Sequence, residues 1–226
     1  MIQLTNVSKK YGKKEVLKNI SLTFSSGKVY GIVGDNGAGK TTLFRCIGGF
    51  ENFDGEISSN LIPLKNYLGF LFTEPHFFVR ITGKEYVQLL CNARKVKLEK
   101  LASKNIFDLP LNQYVSTYST GMKKKLAIFA LLMQENDYFI LDEPFNGLDI
   151  QSTILMEEII LSLKELNKII ILSSHVFSTL KKTCDEILIL EQGTLNRTVK
   201  KEDFDALESE LTDKILEKKI HKLGLR

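Results

Sequence analysis

The sequence predicts an α/β protein built on a mostly parallel sheet, with an N-terminal antiparallel β part and a small helical subdomain. Two short apolar runs, at residues 138–141 and 169–172, are typical of strands that are buried on both faces of a parallel sheet. Helical patterns lie between such runs, and strands that alternate with helices indicate crossover connections within one sheet. A glycine-rich loop between a strand and a helix, at residues 34–41, agrees with this architecture.

The N-terminal quarter of the chain predicts strands before the first helix. Partial alternation of apolar and polar residues indicates strands that bury one face. The turn residues Ser25, Ser26 and Gly27 separate the second strand from the third. The strands predicted here and after the first helix are residues 2–8, 16–24, 28–33, 55–58 and 67–72.

The loop at residues 34–41 reads Gly-Asp-Asn-Gly-Ala-Gly-Lys-Thr and has the spacing of a nucleotide phosphate-binding loop. Glycines let successive backbone N–H groups face one anion, and the helix predicted at about 40–49 directs its positive N-terminus at the same anion. We expect Lys40 to reach the β- and γ-phosphates and the Thr41 hydroxyl to ligate Mg²⁺. A glycine-rich turn with no ligand is the alternative, which the strand–loop–helix context disfavours. The residues expected to contact the phosphates are Gly34, Asp35, Asn36, Gly37, Ala38, Gly39, Lys40 and Thr41.

The remainder of the chain continues the alternation of helices and strands. A polar helical pattern runs from Thr82 to about Ile106, and Leu109-Pro110-Leu111 interrupts the chain after it. A further helix is predicted to begin near Ser119. Later helices are predicted at 150–166, 176–182 and about 201–220, strands at 138–141, 169–172 and 186–190, and a hairpin-like turn at 192–194. The last helix is amphipathic, with Phe204, Leu207, Leu211 and Ile215 on one face, and it either caps the domain or binds a partner.

Two carboxylates end one buried strand, and a histidine ends another. Asp142 and Glu143 follow the run at 138–141, and His175 follows the run at 169–172. In a parallel sheet the carboxyl ends of the strands meet at the ligand-binding edge. Asp142 therefore suits ligation of Mg²⁺, and Glu143 is placed to polarise a water for attack on the γ-phosphate. His175 is expected to sense that phosphate, and a purely structural histidine is the alternative.

Composition argues against several other functions. The 226 residues carry a net charge of only +4, and the run Lys123–Lys125 is more typical of a solvated helix face than of a nucleic-acid site, so no nucleic acid is expected. Cys46, Cys91 and Cys184 lack metal-ligand spacing and indicate buried, reduced thiols of a cytosolic protein. The N-terminus lacks a signal-peptide pattern, and no stretch approaches the ~20 apolar residues of a membrane span. If the protein works at a membrane, another chain spans it.

These motifs, in this order, resemble those of the ATP-binding-cassette ATPase family over about residues 2–200. The resemblance identifies residues 34–41 with the family's Walker A motif, and Asp142 and Glu143 with its Walker B aspartate and catalytic glutamate. His175 is similar to the switch histidine. The resemblance implies a single nucleotide-binding domain with a P-loop NTPase core, which uses ATP and Mg²⁺.

Further site residues follow from the resemblance. Tyr11 matches the aromatic residue that stacks on adenine, and Thr42 follows Walker A. Ser119 and Gly121 match the serine and second glycine of the signature motif, which bind the γ-phosphate of the opposite subunit's nucleotide. Asp149 ends a segment similar to the family's D-loop. Ser119 as a simple helix cap is the alternative that its position alone favours.

The resemblance also implies partners. Two subunits, identical or related, close head-to-tail on two ATP molecules, and hydrolysis reopens them. This motion drives a separate transmembrane permease, so the protein is expected in the cytoplasm, peripheral on the inner face of the cell membrane. A non-transport ATPase of the same family and a regulatory nucleotide-binding module are the alternatives.

Three departures from the family pattern stand out. Thr120 replaces the first signature glycine, and with Met122 it gives a Ser-x-Gly-Met form that resembles small bacterial export ATPases. The family's Q-loop glutamine falls near Thr73, whose side chain is short, so Glu74 is expected to reach Mg²⁺ or the lytic water instead, and Thr73 and Glu74 are both candidate metal-site residues. The helical subdomain, at about 76–135 within the single domain 1–226, is compact.

The permease is expected to contact the region around residues 73–80 and the helix near Tyr86. Phe77 and Phe78 form an apolar pair within that region. They either fill a groove of the partner or pack into the subdomain core.

Overall fold

The computed structural model describes residues 1–219, with side chains as far as residue 213. These residues form two β-sheets. The first is a three-stranded antiparallel sheet with the strand order β2-β1-β4. Its strands are β1 (Ile2–Tyr11), β2 (Lys14–Phe24) and β4 (Asp54–Ser59). All three extend beyond the predicted bounds, because the β1–β2 hairpin pairs as far as Tyr11 and Lys14 and β4 pairs with β1 from Asp54 to Ser59.

The second sheet has six strands in the order β5-β6-β7-β3-β8-β9. The first five strands of this order run parallel, and β9 is antiparallel to β8. The strands are β3 (Lys28–Val33), β5 (Leu68–Leu71), β6 (Tyr138–Leu141), β7 (Ile169–Ser173), β8 (Glu186–Glu191) and β9 (Thr194–Lys200). The predicted α/β fold with a mostly parallel sheet and an antiparallel N-terminal part is thereby confirmed.

Buried side chains fill both faces of the parallel sheet. Ile169 and Ile171 face the cluster beneath the antiparallel sheet, whereas Ile170 and Leu172 face the opposite cluster. This two-sided burial explains why the strand is a continuous apolar run. A third cluster, around Phe129, belongs to the helical part of the chain.

Six α-helices connect or cover these strands within residues 1–219. They are α1 (Lys40–Ile47), α2 (Gly83–Ala93), α3 (Thr120–Leu132), α4 (Ile150–Glu165), α5 (Phe177–Thr183) and α6 (Phe204–Lys219). In α6, Phe204 and Leu207 are buried against the parallel sheet, which supports the capping interpretation. The side chain of Ile215 and residue 220, both part of the predicted amphipathic helix, lie outside the described residues. None of the helices in the described range is long and apolar enough to cross a bilayer.

The helix predicted from Thr82 to about Ile106 ends early, and that prediction was wrong at its C-terminal end. Thr82 caps the start of α2, but the helix stops at Ala93 because Lys95 adopts a left-handed backbone with φ 58°. Beyond it, Val96, Leu98 and Leu101 pack onto the helical cluster from irregular chain. Tertiary burial of these side chains outweighs the helical propensity of the segment.

The predicted turn at residues 192–194 joins β8 to β9, a strand that the sequence did not indicate. Gln192 and Gly193 both have positive φ, at 49° and 82°, which is the two-residue turn that suits a hairpin. Gly193 donates its N–H to Ala38 O at 3.0 Å, and its carbonyl accepts the Lys18 N–H at 2.9 Å. A Cβ at position 193 would lie 2.2 Å from Val16 O, so only glycine fits.

Candidate nucleotide-binding site

The phosphate-binding loop leaves the carboxyl end of β3, the strand between β7 and β8. Gly37 and Gly39 have φ of 83° and 111°, so glycine is needed at both positions. At Gly34 a Cβ would lie 2.2 Å from Leu190 O. Gly39 precedes α1, and no side chain caps this helix. The first N–H groups of α1 therefore remain for an anion.

Lys40 folds back over this loop. Its ammonium donates a hydrogen bond to Gly34 O at 2.6 Å, and Asp35 O lies 3.4 Å away. Burial lowers the pKa of Lys40, and the carboxylates of Glu143 and Asp142 oppose that shift. The arrangement holds a positive charge beside the loop's N–H groups, as binding of a polyphosphate requires.

Asp142 is the centre of a hydrogen-bond network at the end of β6. Its Oδ2 accepts from Thr41 Oγ1 at 2.8 Å and from Thr73 Oγ1 at 2.9 Å, while its Oδ1 accepts from Ser173 Oγ at 2.7 Å. Thr41 Oγ1 and Thr73 Oγ1 thus both meet Asp142 Oδ2, which brings together oxygen atoms from three separate chain segments. These are hard ligands of the kind that Mg²⁺ prefers, together with substrate phosphates and water, so the residues present fit this ion. Glu74 is exposed and takes no part in this network within the described residues.

Glu143 and His175 lie in contact at the ends of adjacent strands. The backbone N–H of His175 donates to Glu143 Oε2 at 3.2 Å. The imidazole Nε2 of His175 lies 3.2 Å from Glu143 Oε1, outside hydrogen-bond geometry. Oε1 is buried and accepts no hydrogen bond from the described residues. Glu143 also has a left-handed backbone with φ 53°, a conformation that glutamate seldom adopts.

Ser173 is a site residue that the sequence analysis missed. It is fully buried, and its hydroxyl donates to Asp142 Oδ1 while accepting the Glu143 N–H at 3.0 Å. The hydroxyl therefore bridges both carboxylate residues and supports the strained backbone of Glu143. Its sequence signal is a hydroxyl at the last position of an otherwise apolar strand.

Lys124 is a second missed residue, and the interpretation of Lys123–Lys125 as a solvated face was wrong. Only 3% of Lys124 is exposed. Its ammonium donates to Thr73 O at 3.0 Å and Phe72 O at 3.2 Å, and Asp142 O lies 3.5 Å away. Burial lowers the pKa of Lys124 to about 8, although nearby carboxylates oppose the shift. Position 124 shares a helix face with the buried residues three and four positions later, which is the signal that reveals it.

The predicted signature and D-loop residues form a second group. Ser119 caps α3 by accepting the Met122 N–H at 3.2 Å. A Cβ on Gly121 would lie 2.9 Å from Gly147 O, so the two segments pack closely. Asp149 accepts the Ser152 N–H at the start of α4 and pairs with Lys125 at 2.6 Å. The bond from Lys125 is the main reason that the pKa of Asp149 lies far below its usual range.

Tyr11 lies at the end of β1 with 44% of its surface exposed. The Lys9 ammonium lies 4.8 Å from the ring centroid and pairs with Glu51 at 2.9 Å. The Tyr11 hydroxyl lies near Glu51 and near Thr42, which belongs to the helix that follows the phosphate loop. Burial and the neighbouring Glu51 carboxylate raise the pKa of Tyr11.

Comparison with known proteins agrees with this geometry. The sequence profile of the family described as "ABC transporter" matches residues 17–146. The bacitracin transport ATP-binding protein BcrA of Enterococcus faecalis is 32% identical, over 98% of this chain and 79% of its own length. The ABC transporter ATP-binding protein NatA of Bacillus subtilis is 34% identical, over 85% of this chain and 87% of its own. A solved structure of an ATP binding subunit of an ABC transporter is 25% identical, with a TM-score of 0.82 over 94% of this chain and 99% of that one.

The parallel sheet, the phosphate-binding loop and the buried aspartate at the neighbouring strand end define a P-loop nucleoside triphosphatase. Among such enzymes, the family match extends over more than half of the chain. The chain belongs to the ABC transporter family, and it is an ATP-binding, ATP-hydrolysing subunit.

Proposed function

We propose that this subunit powers export through a separate transmembrane permease, on the inner face of the cell membrane. One observation carries the proposal, namely that the predicted site residues fall into two groups. The first group surrounds Asp142 and includes the phosphate loop, and the second joins Ser119 and Gly121 to the segment ending at Asp149. Each group supplies part of a nucleotide site, so two subunits, identical or related, complete two sites by closing head-to-tail.

Within the first group, each residue has a distinct task. Lys40 and the loop N–H groups neutralise the phosphates. Glu143 orients the attacking water, since its buried Oε1 is free to accept a hydrogen bond from it. The backbone N–H of His175 donates to the other carboxylate oxygen of Glu143 and aligns the carboxylate. Mg²⁺, when bound with Thr41, Thr73 and Asp142, supplies charge neutralisation for the leaving phosphates.

Tyr11 and Thr42 support binding of the base. Lys9 stands over one face of the Tyr11 ring, and the opposite face suits stacking of adenine. The Tyr11 hydroxyl lies near Thr42, so the ring stands beside the start of the helix that follows the phosphate loop.

A groove beside the helical part of the chain suits the permease. Phe70 contacts Phe50 and Phe72, with ring centroids 5.1 and 4.4 Å apart. Together with Tyr86 and Arg94 these residues line a cavity of about 250 Å³. The cavity lies next to the loop that carries Thr73, so a permease segment seated there has a direct route to the metal-binding residues.

Similarity supports an outward direction of transport. The Ser119–Met122 signature resembles that of small bacterial export ATPases, and BcrA is named for the transport of bacitracin. The transported substrate is a property of the permease, which would contain its binding site.

Mixed dimers test the composite site. Lys40→Ala removes the phosphate-loop half of a site, and Ser119→Arg blocks the signature half. Each variant alone is expected to have almost no ATPase activity, whereas a mixture of the two contains dimers with one intact site. We expect the mixture to recover a measurable fraction of wild-type activity. Recovery no greater than the sum of the separate variants contradicts the head-to-tail arrangement.

A further inference from the structure

Lys124 joins two chain segments that both supply oxygen atoms to the Asp142 network. Its ammonium donates to Phe72 O and Thr73 O, just after β5, and lies 3.5 Å from Asp142 O, just after β6. The side chains of Thr73 and Asp142 meet 2.9 Å apart. The lysine thus fixes the backbones of the same two residues whose side chains converge.

Space filling alone does not explain why the residue at position 124 is a lysine. Lysine is almost never fully buried unless its charge is compensated, and an apolar side chain would occupy the space without desolvating an ammonium. The three carbonyl oxygens match the three donors of one ammonium group. Loss of the lysine leaves these carbonyls without their partner and frees the loop at residues 72–75.

The lysine also connects this network to the second group of site residues. It lies on α3, the helix that Ser119 caps, and the next residue, Lys125, pairs with Asp149. A displacement of α3 therefore moves Lys124 and, through it, the backbone of Thr73.

We propose that Lys124 is a positioning residue for the divalent cation of the nucleotide site. It holds Thr73 and Asp142 in register for the cation, and it ties their spacing to the position of α3. This inference rests on the proposed function in one respect, namely that the cation is the Mg²⁺ that accompanies ATP.

Two roles of the lysine predict opposite signs. If Lys124 acted only as a fixed positive charge, its removal would relieve repulsion and strengthen Mg²⁺ binding. If it positions the ligands, its removal weakens Mg²⁺ binding, as loss of outer-shell partners does. The sign of the change in Mg²⁺ affinity therefore separates the two.

The measurement is Mg²⁺-dependent binding of a fluorescent, non-hydrolysable ATP analogue to the full chain, which needs no turnover. Lys124→Met keeps the length of the side chain without donors, and we expect about a tenfold rise in the Mg²⁺ concentration for half-saturation. Lys124→Gln retains a donor and should recover part of the loss. Lys123→Met, at the half-buried neighbouring position, is the matched control and should stay within about twofold of wild type, the scale of an ordinary surface substitution. An unchanged or lowered value for Lys124→Met overturns the proposal.

A double-mutant cycle with Thr73→Val tests whether the lysine acts through the loop that carries Thr73. If Lys124→Met fails to fold, Lys124→Gln takes its place in this cycle. If the lysine acts through the Thr73 loop, the double variant binds Mg²⁺ no more weakly than the single variant with the greater loss of Mg²⁺ affinity. Losses that multiply contradict the proposal. Absence of Mg²⁺ dependence in the wild type would instead contradict the proposed function, so the two failures are distinguishable.

Discussion

Ser173 Oγ donates a hydrogen bond of 2.7 Å to Asp142 Oδ1, and both groups are buried at the ends of adjacent strands. The same oxygen accepts the N–H of Glu143, whose backbone is left-handed. One hydroxyl thus orients the aspartate proposed as a metal ligand and the glutamate proposed as the catalytic base.

Replacement of Ser173 by alanine is expected to reduce kcat for ATP hydrolysis about tenfold, because a buried carboxylate loses a hydrogen bond worth about 1–3 kcal/mol. The KM for ATP should change less than twofold, since the phosphate loop is untouched. Steady-state kinetics measures both. Ser174→Ala is the matched control, because that buried serine bonds to Val176 and Thr179 at the start of α5. Equal losses in the two variants would indicate only a packing effect.

Glu143→Gln should lower kcat by a factor of about 10² to 10⁴, the range for loss of a general base, while ATP binding persists. The neutral side chain cannot accept the proton of the attacking water. With ATP bound but not cleaved, the variant should elute as a dimer in gel filtration. Glu158→Gln, on an exposed position of α4, should behave as wild type. A Glu143→Gln variant that keeps full turnover would rule out its role as the base.

Tyr11→Ala is expected to weaken ATP binding about tenfold, since stacking on an aromatic ring contributes about 1–3 kcal/mol per base. Tyr11→Phe keeps the ring and loses only the hydroxyl beside Glu51 and Thr42, so it should show a smaller loss. Equilibrium titration with a fluorescent ATP analogue compares the two. Inorganic triphosphate, which has no base, should bind all three proteins alike. A similar loss for triphosphate would contradict a stacking role.

Phe77 and Phe78 should respond differently to aspartate. Phe77 packs against Tyr86 with ring centroids 4.6 Å apart, whereas 67% of Phe78 is exposed. Of the two alternatives, packing into the subdomain core is therefore the one that Phe77 follows, whereas the exposed Phe78 stays available to a partner. Phe78→Asp should leave Tm and the ATPase rate of the isolated subunit unchanged but reduce co-purification of the permease from membranes. Phe77→Asp should lower Tm by several degrees, because it buries a charge in the core. Unchanged co-purification of the permease with Phe78→Asp would exclude Phe78 from the contact.

The sequence indicates those parts of the site that depend on local spacing. The phosphate loop is defined by eight consecutive residues, and Asp142 and Glu143 follow a run whose apolar character is itself a consequence of two-sided burial. Parallel topology then brings the strand ends together, so the approach of Thr41 to Asp142 could be anticipated.

Lys124 and Ser173 were missed because their roles arise from packing between distant segments. A lysine within a run of three gives no local sign that one of them is buried beneath the strand ends. The early end of α2 has a similar cause, since the burial of Val96 and Leu98 is decided by the helical cluster and not by neighbours in the chain. The strand β9 escaped notice because it is polar and mostly exposed at the edge of the sheet.

The hairpin turn at Gly193 links the phosphate loop to the antiparallel sheet. Its N–H holds Ala38 of the phosphate loop, and its carbonyl holds Lys18 on the strand that pairs with the one ending at Tyr11. The turn therefore braces the phosphate loop against the strand pair that carries Tyr11, and Val16 O leaves no room for a side chain at position 193.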